Sequence, residues 1–228
     1  MDARALNRRP IRSFVLRQGR FSPAQRRAHE ELLPRFGIAF APAPLDLNSV
    51  FGRSAPKILE IGSGMGETTA AIAKTMPEFD FLAIEVHAPG VGSLLKHIAE
   101  LGLANIRIAQ HDAVEVVQHM IAPGTLAGIH IFFPDPWPKK RHHKHRLLKP
   151  ALLDTLAARA GQGSRFFFRT DFKPYYDEAA GIVAAHTAWA LLPPGPFPFE
   201  HPTIFQARAV TFHSLGAARQ PGKSVQMQ

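Results

Sequence analysis

With 228 residues, 46% of them hydrophobic, the chain is long enough for one substantial core and short for two, so a single domain with terminal extensions is expected. Its 27 lysines and arginines against 18 aspartates and glutamates leave a formal charge of +9, which makes a polyanion the first candidate partner. The lack of cysteine excludes disulfides, thiolate metal sites and a cysteine nucleophile. No apolar run approaches the ~20 residues of a membrane span or forms the core of a secretory signal, so a soluble, cytoplasmic protein is expected.

In chain order, residues 1–21 carry arginines at Arg4, Arg8, Arg9, Arg12, Arg17 and Arg20 without hydrophobic periodicity, and read as a flexible basic arm ordered by a negative partner. Ser22 followed by Pro23 signals the start of a helix running toward Arg35, and a proline-rich connector closes the segment 22–47. The main domain is expected over 48–215. Strands are predicted at Lys57–Ile61, Phe79–Glu85, Asn105–Gln110, Gly128–Phe133 and Arg165–Arg169. Helices at Gly66–Thr75, Pro89–Leu101, Ala113–Met120, Leu147–Ala160 and Pro174–His186 fill the gaps between and after them. This alternation demands a doubly wound, mostly parallel α/β sheet, whose ligands sit beyond the carboxyl ends of the strands at the topological switch. A proline-rich loop at Pro193–Pro202 precedes a last antiparallel strand within Thr203–Ser214, and 216–228 reads as a disordered tail.

The chemistry concentrates at the predicted strand ends. Glu60-Ile-Gly-Ser-Gly-Met-Gly66 ends the first strand, and Gly62, Gly64 and Gly66 permit a tight turn close to a ligand. A dinucleotide fingerprint needs a sixth-position glycine where Glu67 stands, and no Lys-Ser/Thr pair follows to make a phosphate-binding P-loop. An acid before such a loop repels a pyrophosphate and suits a cationic ligand end. Glu85 ends the second strand, where an acid accepts hydrogen bonds from ribose hydroxyls. Asp112 follows the third strand, placed either for an adenine amino group or as the cap of the next helix.

In Phe132-Phe-Pro-Asp-Pro-Trp137, Asp135 sits between two prolines that restrict the backbone on both sides, as preorganised electrostatic stabilisation requires. Lys139, Lys140, Arg141, Lys144 and Arg146 follow as candidate phosphate contacts. Phe132, Phe133 and Trp137 are either stacking surfaces for a splayed base or ordinary core. His142, His143 and His145 project in different directions without a thiol or carboxylate at ligand spacing, so no metal is expected.

The acid-G-x-G-x-G loop resembles the first motif of the Rossmann-like S-adenosylmethionine-dependent methyltransferases. Together with Ile84-Glu-Val-His-Ala-Pro-Gly-Val-Gly92, His111-Asp-Ala-Val-Glu115, Phe132–Trp137, Arg169-Thr-Asp171 and the arm segment Ile11–Arg20, it is similar in order and type to the bacterial tRNA (guanine-N7)-methyltransferase family over residues 8–214. The resemblance implies a seven-stranded sheet with helices on both faces and methylation of a variable-loop guanosine of tRNA, position 46 in family terms. It also implies that Glu60, Glu85 and Asp112 bind S-adenosylmethionine, that Asp135 is cofactor-contacting and catalytic, and that Lys139 and Asp171 contact the tRNA. The family's Thr-Lys-Phe-Glu motif corresponds to Thr203, Ile204, Phe205 and Gln206, where two of four positions depart from it. Gln206 offers hydrogen bonds but no charge. A methyltransferase of another RNA site, or a catalytically silent RNA-binding relative, stays open on this departure.

Overall fold

A computed structural model describes residues 12–14, 19–194 and 211–221 of the chain. Helix α1 (Pro23–Phe36) begins where the sequence signals it: Ser22 accepts from the Gln25 amide, and the Gln25 side chain accepts from the Ser22 amide, a reciprocal capping box. Strand β1 (Gly37–Ile38) follows directly. The connector then carries a short helix, α2 (Leu47–Phe51), capped by Asp46 and closed by Gly52 in the left-handed region. Neither β1 nor α2 was predicted, since two and five residues are too short to show a period.

The repeating units are β2 (Lys57–Ile61), α3 (Glu67–Thr75), β3 (Asp80–Ile84), α4 (Ala88–Leu101), β4 (Ile106–Ala109), α5 (Ala113–His119), β5 (Leu126–Phe132), α6 (Pro150–Arg159), β6 (Ala160–Thr170) and α7 (Lys173–Ala184), followed by β7 (Trp189–Leu191) and β8 (His213–Arg219). The sheet runs β1-β4-β3-β2-β5-β6-β8-β7. It is parallel from β1 to β6, with β8 antiparallel to β6 and β7 antiparallel to β8. The expected doubly wound, mostly parallel sheet is therefore present, with eight strands among the described residues rather than seven.

Most boundaries shift by one to three residues, and two differ by more. Strand β6 starts at Ala160, five residues before Arg165, because its first stretch is Gly-rich and reads as a turn. Strand β8 extends to Arg219, beyond the expected domain end at Leu215; Gly216, Ala217 and Ala218 lack the bulk that marks a strand, yet they pair with β6 throughout.

Successive residues of the central strands feed opposite cores. Leu59, Ile61, Leu82 and Ile84 join one cluster, while Ile58, Phe81, Ala83 and Ile108 join the other. On the second face α1 lies against α4, and Gly92 allows the contact: a β-carbon there would fall well inside van der Waals contact of the Gln25 carbonyl oxygen. Gly92→Ala is expected to push α1 off α4 and cost about 1–3 kcal/mol, read as a lowered thermal unfolding midpoint. An unchanged midpoint would show that the contact gives way freely. Because β2 pairs β3 on one side and β5 on the other, the order in which strands are added across the sheet reverses between β2 and β5, and the crevice at their carboxyl ends holds the site.

Candidate active site

A cavity of about 590 Å³ occupies that crevice, lined by the Glu60–Thr68 turn, the Ile84–His87 turn, His111 and Ala113, and Phe132–Asp135. The turn after β2 has the conformation its glycines require: Gly64 has φ 56 and Gly66 has φ 79, a region L side chains rarely adopt. Gly66 is doubly constrained, since a β-carbon there would collide with Leu94 on α4.

Glu60, next to last in β2, is only 2% exposed, and its Oε2 has no hydrogen-bond partner among the described residues. Burial pushes its carboxyl up to about 7, opposed by the neighbouring Thr69 hydroxyl and reinforced by the nearby Glu85 carboxylate. Ser63 Oγ is likewise buried without a partner. Such groups lining a cavity suit a ligand that brings a cation and hydrogen-bond donors.

Glu85 uses its carboxylate on the protein itself. Oε2 accepts from Gly64 N at 2.8 Å, and Oε1 accepts from Val86 N at 2.8 Å and His87 N at 2.9 Å. With about four lone-pair positions, a carboxylate so bound retains one for a hydroxyl.

Asp112 is not brought into the cavity. Its Oδ1 accepts from Val114 N at 2.9 Å and caps α5, while its neighbours His111 and Ala113 line the wall. His111, which the sequence reading passed over, stacks on Phe40 with centroids 3.9 Å apart and pairs Nε2 with Glu115 at 2.6 Å.

Asp135 is exposed and lines the cavity beyond the end of β5. The turn that carries it is strained on both sides, with Phe133 at φ 48 and Trp137 at φ 45. Bulky residues hold that conformation only where their surroundings over-determine it. Phe133 N donates to Arg169 O at 2.7 Å, Arg146 Nε donates to Pro136 O at 3.0 Å, and Trp137 Nε1 donates to Ser13 O at 3.3 Å. Phe132 and Phe133 line the cavity, while Trp137 packs on His142 and His145. Ser13 and Phe14 of the arm also reach the cavity wall, and His145 Nδ1 donates to Arg12 O at 2.9 Å. Only the arm segment's likeness to a known motif signalled them.

Lys139 leads into a 3₁₀ helix at Lys140–His145, and Asp171 follows the adjacent strand β6; both side chains are exposed at the same edge of the sheet. Lys140, Arg141 and Lys144 are exposed as well. Partial desolvation, with the charges of Arg141 and Lys139 beside it, holds the His142 ring below its ordinary value. Arg146 departs from its expected role: at 1% exposure its guanidinium is turned inward, with Nε on the Pro136 carbonyl, Nη1 on Glu178 and Nη2 buried without a partner among the described residues, so it is not presented to a phosphate at the surface. Thr203, Ile204, Phe205 and Gln206 lie outside the described residues. Among the described residues no three His, Cys, Asp or Glu gather as a metal site, and no helix is long and apolar enough to cross a membrane.

Comparison with known proteins matches a family model described as "Putative methyltransferase" to residues 54–209. The tRNA (guanine-N(7)-)-methyltransferase of Methylobacillus flagellatus is 60% identical over 179 residues, 78% of this chain and 75% of that protein. The protein of the same name from Nitrosomonas eutropha is 61% identical over 176 residues, 77% of this chain and 79% of its own. Among solved structures, the 16S rRNA methyltransferase KamB superposes with a TM-score of 0.56 at 13% identity, covering 77% of this chain and 93% of that one. An rRNA methylase from Streptococcus thermophilus gives 0.52 at 11% identity, covering 89% and 100%. These structures share the fold.

Proposed function

The chain belongs to the tRNA (guanine-N7)-methyltransferase family, and on that premise we propose that it transfers the methyl group of S-adenosylmethionine to N7 of a variable-loop guanosine of tRNA in the cytoplasm. The observation that carries this reading is a juxtaposition. A cavity with an unpartnered buried carboxylate oxygen, Glu60 Oε2, has the exposed Asp135 on its wall, and exposed Lys139, Lys140, Arg141 and Lys144 follow within nine residues.

The residues present fit the cofactor. Glu60 and Ser63 take the amino-acid end, Glu85 takes the ribose with its remaining lone pair, and Gly62, Gly64 and Gly66 let the backbone approach closely. His111 and Ala113 form the wall on the side where the adenine is expected, with Asp112 acting through the turn it caps. When bound, S-adenosylmethionine supplies an electrophilic methyl group on a sulfonium.

Guanine N7 carries an in-plane lone pair that is free near neutral pH, so no strong base is needed and alignment dominates the barrier. The N7–carbon bond forms as the sulfur–carbon bond breaks, and positive charge moves onto the purine. Asp135 orients the guanine and stabilises that charge. Lys139 and Asp171 contact the substrate, and Thr203, Ile204, Phe205 and Gln206 are further substrate contacts by likeness to the family motif. Lys140, Arg141 and Lys144 bind phosphates. Phe133, half-buried on the cavity wall, is the aromatic surface best placed to meet a splayed base.

The test is to incubate the protein with methyl-labelled S-adenosylmethionine and an unmodified tRNA transcript, digest the RNA and identify the labelled nucleoside. Label in 7-methylguanosine of the variable loop is expected. Label in another nucleoside would overturn the substrate, and no label despite cofactor binding would overturn the activity.

A further inference from the structure

We infer that Arg146, together with Glu178, is the positioning residue that holds Asp135 on the cavity wall, rather than a contact to nucleic acid. The inference rests on Asp135 being the acting carboxylate. In sequence Arg146 is the last of a run of basic residues. In the fold it is separated from them, among the largest fully buried side chains, while Lys139, Lys140, Arg141 and Lys144 stay exposed.

A guanidinium taken out of water must be matched by fixed partners. Arg146 Nε donates to the Pro136 carbonyl at 3.0 Å, and Nη1 donates to Glu178 Oε2 on α7, while Nη2 is buried without a hydrogen-bond partner among the described residues. Its Cζ lies 4.8 Å from the Tyr175 ring centroid, and that ring is itself pinned where Tyr175 Oη accepts from Leu148 N at 2.9 Å.

The Asp135 turn needs such a donor. Proline occupies 134, 136 and 138, so three of the five positions from 134 to 138 have no amide hydrogen to donate, and the Pro136 carbonyl is a point at which the backbone is held. The carbonyl Arg146 grips belongs to the residue directly after Asp135 and directly before the left-handed Trp137. Through Glu178 the same guanidinium fastens this turn to α7, the helix that begins two residues after Asp171. One side chain thereby sets the separation of two substrate-facing acids on neighbouring strands.

Arg146→Lys and Glu178→Gln test this beside Lys144→Ala and Asp135→Ala. A lysine cannot reach both partners in the geometry of the planar fork. With saturating tRNA and cofactor, Arg146→Lys and Glu178→Gln are expected to lower kcat by about 10- to 100-fold per cofactor-binding site, the scale of a 1 Å misplacement. Their tRNA Kd and its salt dependence stay at the wild-type values, whereas Lys144→Ala reduces the slope of log K against log salt by about 0.7 to 0.9. In an Asp135→Ala background, Arg146→Lys is expected to cost nothing further, because both act on one step.

The inference is overturned by a wild-type kcat in Arg146→Lys, by a salt slope reduced as in Lys144→Ala, or by a kcat loss matched by an equal loss of cofactor-binding sites. Full activity in Asp135→Ala instead removes the premise. Activity lost in Asp135→Ala but kept in Arg146→Lys removes the positioning role alone.

Discussion

Asp135→Ala is expected to lower kcat by about 100- to 1000-fold while the protein still binds tRNA and S-adenosylmethionine within about threefold of wild type, the pattern of an interaction made mainly in the transition state. The ground state brings a neutral guanine to an exposed carboxylate, where attraction is weak and water competes. As the methyl transfers, the ring acquires a full positive charge next to a carboxylate whose turn is already fixed at Phe133, Pro136 and Trp137, so little reorganisation is required. Asp135→Asn keeps an acceptor without the charge and should fall between the two. Single-turnover methylation measures the effect directly, and an alanine variant within a few-fold of wild type would remove Asp135 from catalysis.

The second large effect concerns Glu60. Its carboxyl is raised from 4.5 to about 7 by burial, so in the cofactor-free protein it is largely protonated below neutrality. A cationic ligand end selects the carboxylate, and S-adenosylmethionine affinity should therefore weaken about tenfold for each pH unit from about 7 down toward 5. Glu60→Gln should bind poorly and lose this dependence, as isothermal titration at several pH values would show. An affinity independent of pH in the wild type would rule out a cation beside Glu60.

Stability moves in the opposite direction. A folded-state value above the unfolded one means that the native protein holds the proton more tightly, so stability falls as pH rises from about 4.5 to 7. The shift corresponds to about 3 kcal/mol at pH 8, and Glu60→Gln should raise the unfolding midpoint of the cofactor-free protein there by up to roughly 10 °C, with little change at pH 4. The site is thus less stable without its ligand than a neutral substitute would make it.

Much of this was legible from residue order. Lys57–Ile61 was read correctly at both ends because it is a short stretch rich in Ile and Leu stopped by the glycine-rich turn that starts at Gly62. The helix start was equally visible in Ser22 followed by Pro23, although the part Gln25 plays in the cap was not read. Where two roles demand the same residue in the same place, order alone does not separate them. An aspartate after a strand either faces a ligand or caps the next helix, and Asp112 does the second. Arg146 was misread for a related reason: charge in a run of basic residues predicts a solvated face, and only the three-dimensional path of α7 brings Glu178 and Tyr175 over it. The edge strands escaped because β1 and β7 are held by pairing with β4 and β8, not by any pattern of their own.

The three amides gathered on Glu85 bear on how the cofactor pocket is to be dissected by mutation. Because one carboxylate ties the glycine turn to the end of the neighbouring strand, the turn is folded in advance and the ligand meets a finished surface rather than ordering one. Removing that carboxylate releases the turn at the same time as it deletes an acceptor for the sugar. The affinity lost in Glu85→Ala is therefore a composite, and the share belonging to the hydroxyl alone is better obtained from the ligand side, by comparing S-adenosylmethionine with its deoxyribose analogues on the unaltered protein.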